Sequence, residues 1–142
     1  MRVSLQHGAS QRDLAAARSW LFVPGDSERK MAKAAAGEAD IVLIDLEDAV
    51  APGAKAAARP LVHDFIKAHP AERHRLWVRV NPLDGPHTLD DLVAVMPARP
   101  GGIMLPKVHG RQDVERLDRY LEALEVANGI GQGATPVIVL VT

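Results

Sequence analysis

Three carboxylates fall within four residues at Asp45-Leu46-Glu47-Asp48, directly after an apolar run. Side chains of a strand alternate between faces, so Asp45 and Glu47 share one face while Asp48 turns away or opens the next loop. Acids this close repel one another unless a cation, hydrogen bonds or a proton offsets their charge. The cluster reads either as a functional site or as a helix-capping or surface-loop feature. A second candidate is Arg79, within Val78-Arg79-Val80-Asn81, which shares its face with Trp77. A guanidinium at a strand end is a natural carboxylate clamp, because its fork matches two oxygens. The same geometry suits a structural ion pair with one of the acids at 45–48.

Basic residues follow the first apolar run. Phe22-Val23-Pro24-Gly25-Asp26 leads into a helical pattern bearing Arg29, Lys30 and Lys33. Arg29 and Lys33 are four apart on one helical face, where like charges cost stability. A phosphate-bearing ligand at this first turn would offset that cost; a solvated basic face is the other reading. Lys107 follows a later apolar run and is open to the same two readings. The six histidines show no metal-ligand spacing, and no serine sits in a nucleophile elbow. Gly129-Ile130-Gly131-Gln132-Gly133 resembles part of a dinucleotide fingerprint, but it precedes a strand and opens no helix, so it reads as a turn.

Composition narrows the function classes. Formal net charge is −1 over 142 residues, which argues against a nucleic-acid binder or a polybasic membrane-surface protein. Apolar residues make up 47%, enough to bury a core, and cysteine is absent, so disulfides and thiolate chemistry are excluded. No stretch approaches the roughly 20 apolar residues that span a bilayer. A cytoplasmic protein is the expectation.

The elements that must position these side chains alternate. Strands are expected at Trp20–Val23, Ile41–Leu46, Leu76–Val80, Gly102–Leu105 and Pro136–Val141. Helices are expected from Asp26 or Ser27 to about Ala36 with Gly37 as C-cap, over Gly53–Ala68, over Thr88–Met96 and over Arg111–Ala127. Pro60 removes a backbone donor inside the second helix, predicting a kink or a late start. Val114, Leu117, Leu121 and Leu124 form an apolar stripe on the last. Such β-α alternation demands a parallel sheet covered by helices, either doubly wound or closed as a barrel. In both, the active site lies at the carboxyl ends of the strands, where the acids and Arg79 fall. Residues 1–17 read as an N-terminal extension with one short helix around Asp13 to Ala17.

Four motifs, in order, carry a family resemblance: Arg18-Ser19-Trp20-Leu21-Phe22-Val23-Pro24-Gly25-Asp26; Asp45-Leu46-Glu47-Asp48-Ala49-Val50 with Lys55 and Arg59 beyond; Val78-Arg79-Val80-Asn81; and Leu105-Pro106-Lys107-Val108. Together they resemble the amino-terminal half of the HpcH/HpaI aldolase and citrate lyase β-subunit family, which includes malyl-CoA and citramalyl-CoA lyases. The resemblance implies a (β/α)8 TIM barrel, of which residues 18–142 supply about five strands and four helices. It implies a Mg2+-dependent carbon–carbon lyase acting on citryl, citramalyl or malyl thioesters of coenzyme A or an acyl carrier protein. Products would be an oxo-acid and an acyl thioester, and the enzyme would be a homo-oligomer, a trimer or a multiple of one.

Carried over by motif, Arg79 would hold the oxo-acid, and Glu47 and Asp48 would line the metal's outer shell. Phe22, Arg29 and Lys33 would contact the coenzyme A nucleotide and its phosphates. The family's two direct magnesium ligands, a glutamate just past strand five and a later aspartate, would lie beyond Thr142. Residues 1–142 alone are therefore expected to be inactive. The alternatives are a class II oxo-acid aldolase of the same superfamily, which needs no phosphate contacts, and a non-catalytic half-barrel.

Overall fold

The computed structural model describes Leu14 and residues 16–141. Of the expected N-terminal extension and its short helix, only Leu14, Ala16 and Ala17 fall among them; Leu14 and Ala16 are helical, and the rest lies outside the described residues. The elements run β1 (Trp20–Pro24), α1 (Glu28–Ala35), β2 (Ile41–Asp45), α2 (Lys55–Ala68), β3 (Leu76–Arg79), α3 (Thr88–Val95), β4 (Gly102–Leu105), α4 (Arg111–Ala127) and β5 (Val137–Val139). All neighbouring strands pair in parallel, in the order β1-β2-β3-β4-β5.

Period-two alternation splits the sheet into two faces. Toward the helices, Val42, Ile44, Leu76, Val78, Ile103 and Leu105 join Met31, Val62, Ile66, Leu92 and Leu117 in the main core. On the opposite face, Ile41, Leu43, Trp77 and Met104 form a smaller cluster with Trp20, Ile138 and Leu140 packed against it. Trp77 meets Trp20 edge-on at 5.5 Å. Its ring lies over Gly102, its register partner on β4, where an added Cβ would come within 2.4 Å of the ring. Only glycine leaves room for this side chain.

Local chemistry explains most boundaries and three departures. Ser27 caps α1 by accepting from the Lys30 N–H at 3.3 Å, with Glu28 in the first turn and Lys33 in the last, as the helix dipole favours. Gly37 is not the C-cap: Ala36 ends the helix in a right-handed conformation, and Gly37 N–H closes on Ala34 O at 3.1 Å. Pro60 neither delays nor ends α2, which starts at Lys55 after a 3-10 turn over Pro52–Ala54. Pro60 and Ala56, whose carbonyl it leaves without a donor, are both exposed, while Ala58, Val62, Phe65 and Ile66 hold the buried face. The stripe on α4 is narrower than expected, with Leu117 and Leu121 buried but Val114 exposed. Beyond α4, Gly129 and Gly133 take left-handed conformations in a turn before β5. The Glu125 carboxylate accepts from Gly133 and Thr135 N–H and anchors that turn.

Candidate functional site

The polar residues gather where β1 to β4 end. Asp45, the last residue of β2, is 1% exposed and is the register partner of Arg79. Arg79 Nε and Nη2 donate to its two oxygens at 2.8 and 2.6 Å. The same carboxylate accepts from the backbone N–H of Glu47 at 2.8 Å and of Ala49 at 3.0 Å, so it shapes the turn that carries Glu47. Burial pushes the Asp45 carboxyl up, but the Arg79 and backbone donors outweigh it and hold it below the ordinary aspartate value. Asp45 in turn raises Arg79. The ion-pair reading of Arg79 holds, and the residue stands at the end of β3.

Glu47 is buried, at 4% exposure, between two cations. Arg79 Nη1 lies 3.2 Å from Oε2, and Lys107 Nζ lies 2.9 Å from Oε1. The Glu47 carboxylate, with Asp48 beyond it, raises the Lys107 ammonium above its ordinary value. Asp48, 71% exposed at its side chain, is 3.8 Å from Lys107. The acidic pair therefore divides into one buried and one solvated carboxylate, a division made by the turn after β2 and not by strand alternation, since β2 ends at Asp45. On the β1 side, Phe22 is 48% exposed and the Arg79 guanidinium stands 4.6 Å from its ring centroid, a cation–π contact. Arg29 and Lys33 are exposed on α1, and neither makes an ion pair with a described residue.

A buried scaffold supports the acids from below. Lys55 Nζ donates to Leu46 O at 2.8 Å and Glu47 O at 2.7 Å. Asn81 Nδ2 also donates to Leu46 O, at 2.8 Å. Asp91, fully buried, accepts from Asn81 N and Nδ2 and from Arg59 Nε. Lys55 of α2 thus holds the Glu47 carbonyl, while Asn81, anchored by Asp91 of α3, helps hold that of Leu46.

The family model described as HpcH/HpaI aldolase/citrate lyase matches residues 18–142. The chain belongs to this family. Over 122 residues it is 37% identical to the citrate lyase subunit beta of Haemophilus influenzae, covering 85% of this chain and 42% of that one. It is 39% identical over 115 residues to an L-malyl-CoA/beta-methylmalyl-CoA lyase of Cereibacter sphaeroides, covering 79% and 36%. The structure of a citrate lyase beta subunit from M. tuberculosis, complexed with oxaloacetate and magnesium, matches with a TM-score of 0.70 and 35% identity over 91% of this chain and 49% of that one. The chain thus spans less than half the length of the relatives it matches. Its parallel sheet and four helices are the corresponding part of the HpcH/HpaI family's TIM barrel.

Sequence reasoning left Lys107 ambiguous and assigned no role to Lys55 or Asn81. All three stand in the quoted motifs, which was the available signal. Their partners lie on other strands or on backbone carbonyls, so no spacing along the chain reveals them. No described helix is long and apolar enough to cross a membrane.

Proposed function

We propose that this chain supplies the substrate clamp and thioester-binding face of a Mg2+-dependent carbon–carbon lyase, which cleaves or forms a citryl, citramalyl or malyl thioester. The observation that carries the reading is Glu47, a buried carboxylate held between the Arg79 and Lys107 cations at the ends of β2, β3 and β4. The names of the relatives and the oxaloacetate and magnesium of the M. tuberculosis complex support it.

Arg79 has five N–H donors, of which three face Asp45 and Glu47. The remaining two are available to an oxo-acid carboxylate. Asp45 and the Phe22 ring hold the guanidinium in place, so little ordering remains to be done when substrate arrives. Glu47 Oε1 and the solvated Asp48 are hard oxygen acceptors suited to the waters that Mg2+ retains. Among the described residues no group of three or more histidines and carboxylates is placed to hold a metal. Both acids would line the ion's outer shell, with direct ligands supplied from elsewhere in the protein. When bound, a divalent cation polarises the oxo-acid oxygens and makes the thioester enolate accessible as leaving group. Phe22 on β1 and Arg29 and Lys33 on α1, all exposed, would take the coenzyme A moiety. Assembly as a trimer or a multiple of one belongs to the same proposal. Leu89 and Val93, exposed on α3, offer apolar surface for it.

The test expresses residues 1–142 beside a version continued through the remaining barrel strands, and assays thioester cleavage with and without Mg2+. Metal-dependent cleavage by the longer form alone is expected. Turnover of free hydroxy-acids but not thioesters would favour the class II aldolase. Robust turnover by the short form would mean that Asp45, Glu47 or Asp48 binds the metal directly.

A further inference from the structure

Lys107 holds a backbone conformation that lysine seldom adopts. Its φ is +52°, in the left-handed region where a Cβ is crowded and glycine and asparagine are favoured. Departures of this kind persist when the surroundings enforce them, and they cluster at working sites. Here the ammonium lies over the acids, 2.9 Å from Glu47 Oε1 and 3.8 Å from Asp48 Oδ1.

The manner of contact differs from that of the other cation. Arg79 has a side chain only 12% exposed and is locked by two hydrogen bonds to Asp45. The Lys107 side chain is 46% exposed, and its ammonium is shared between Glu47 and the solvated Asp48. It balances charge at the corner without being built into it, on a flexible stem that reaches water.

We infer that Lys107 is the resident counter-cation of the Glu47–Asp48 corner and competes with the divalent ion for it. This rests on the proposed Mg2+ site. With the ion absent, the ammonium offsets the two carboxylates and keeps the corner from carrying unbalanced charge. With the ion present, Lys107 must swing toward solvent, so the lysine lowers affinity for the ion.

The test measures Mn2+ binding, by the electron paramagnetic resonance signal of free Mn2+, to the intact protein without substrate. Lys107→Asn removes the charge and tolerates the left-handed backbone; Lys107→Gly is a second charge-free variant, freer still at positive φ. Lys107→Arg keeps the charge. Both charge-free variants should bind Mn2+ roughly tenfold more tightly, the scale of removing one unit charge a few ångströms from a divalent ion in a wet site. Lys107→Arg should match the wild type. Equal or weaker binding by both charge-free variants, while the wild type binds, overturns the competition; weaker binding would mean Lys107 holds Glu47 in place for the ion. No binding by any form overturns the Mg2+ reading together with this one.

Discussion

Asp45 and Arg79 face each other as register partners on neighbouring parallel strands, joined through both carboxylate oxygens at 2.8 and 2.6 Å. The pair is therefore set by the sheet ladder itself, not by a loop. A shift of β3 against β2 by one residue would turn Arg79 to the helix side and leave Asp45 buried without its cation. Fold and site share one register.

Arg79→Lys keeps the charge but loses the fork that serves Asp45 and the proposed oxo-acid together. Transition-state binding should fall by roughly 2 kcal/mol or more, read as kcat/KM in the intact enzyme. Catalytic efficiency equal to wild type would remove Arg79 from the mechanism.

Asp45 gives stability an acid limb. Its carboxyl is held lower in the folded protein than in the unfolded chain, mainly because donors from Arg79 and the backbone overcome burial. The contribution is present above the unfolded value of about 4 and is lost as pH falls through the folded one. Urea midpoints measured from about pH 5 downward should fall, and Asp45→Asn should flatten that limb. An identical slope in the variant would place acid sensitivity elsewhere.

Replacing Arg29 and Lys33 together with glutamine should weaken binding of a coenzyme A thioester and reduce its salt dependence, because both charges are solvent-exposed and screened. Affinity for the free oxo-acid should not change. Calorimetric titration with each ligand decides, and equal loss for both would point to misfolding.

Asp91→Ala should be among the most damaging substitutions outside the site. Asp91 is fully buried, and its loss strands Arg59 Nε and the Asn81 backbone N–H and leaves Asn81 Nδ2 only Leu46 O. Unfolding free energy should drop by about 3 kcal/mol or more, read from urea denaturation. A drop below about 1 kcal/mol would show that water replaces the carboxylate.

The strand pattern was legible because parallel strands covered by helices are short apolar runs ended by polar residues. Gly102–Leu105 and the helix Arg111–Ala127 have the bounds expected from the sequence. Gly37 and Pro60 misled because each residue's local preference was overruled by its setting: a right-handed helix end at Ala36, and an exposed helix face at Pro60. At the site, Asp45, Glu47, Asp48 and Arg79 stood out by type and by position at strand ends. The pairing of Asp45 with Arg79, and of Glu47 with Lys107, depends on register across the sheet. Glu47 follows β2 and Lys107 follows β4, with β3 between them, so no local pattern could join the two.

The strand order has a kinetic side. Every described strand pairs with the next one in the chain, across one intervening α-helix, so none of these four pairings waits for a distant partner. Loop-closure entropy is met in small, similar steps, and the sheet can grow from β1 toward β5 as a chain emerges from the ribosome. The Asp45–Arg79 bridge forms at the second of these steps. The proposed substrate clamp would then be assembled while β4 and β5 are still unpaired.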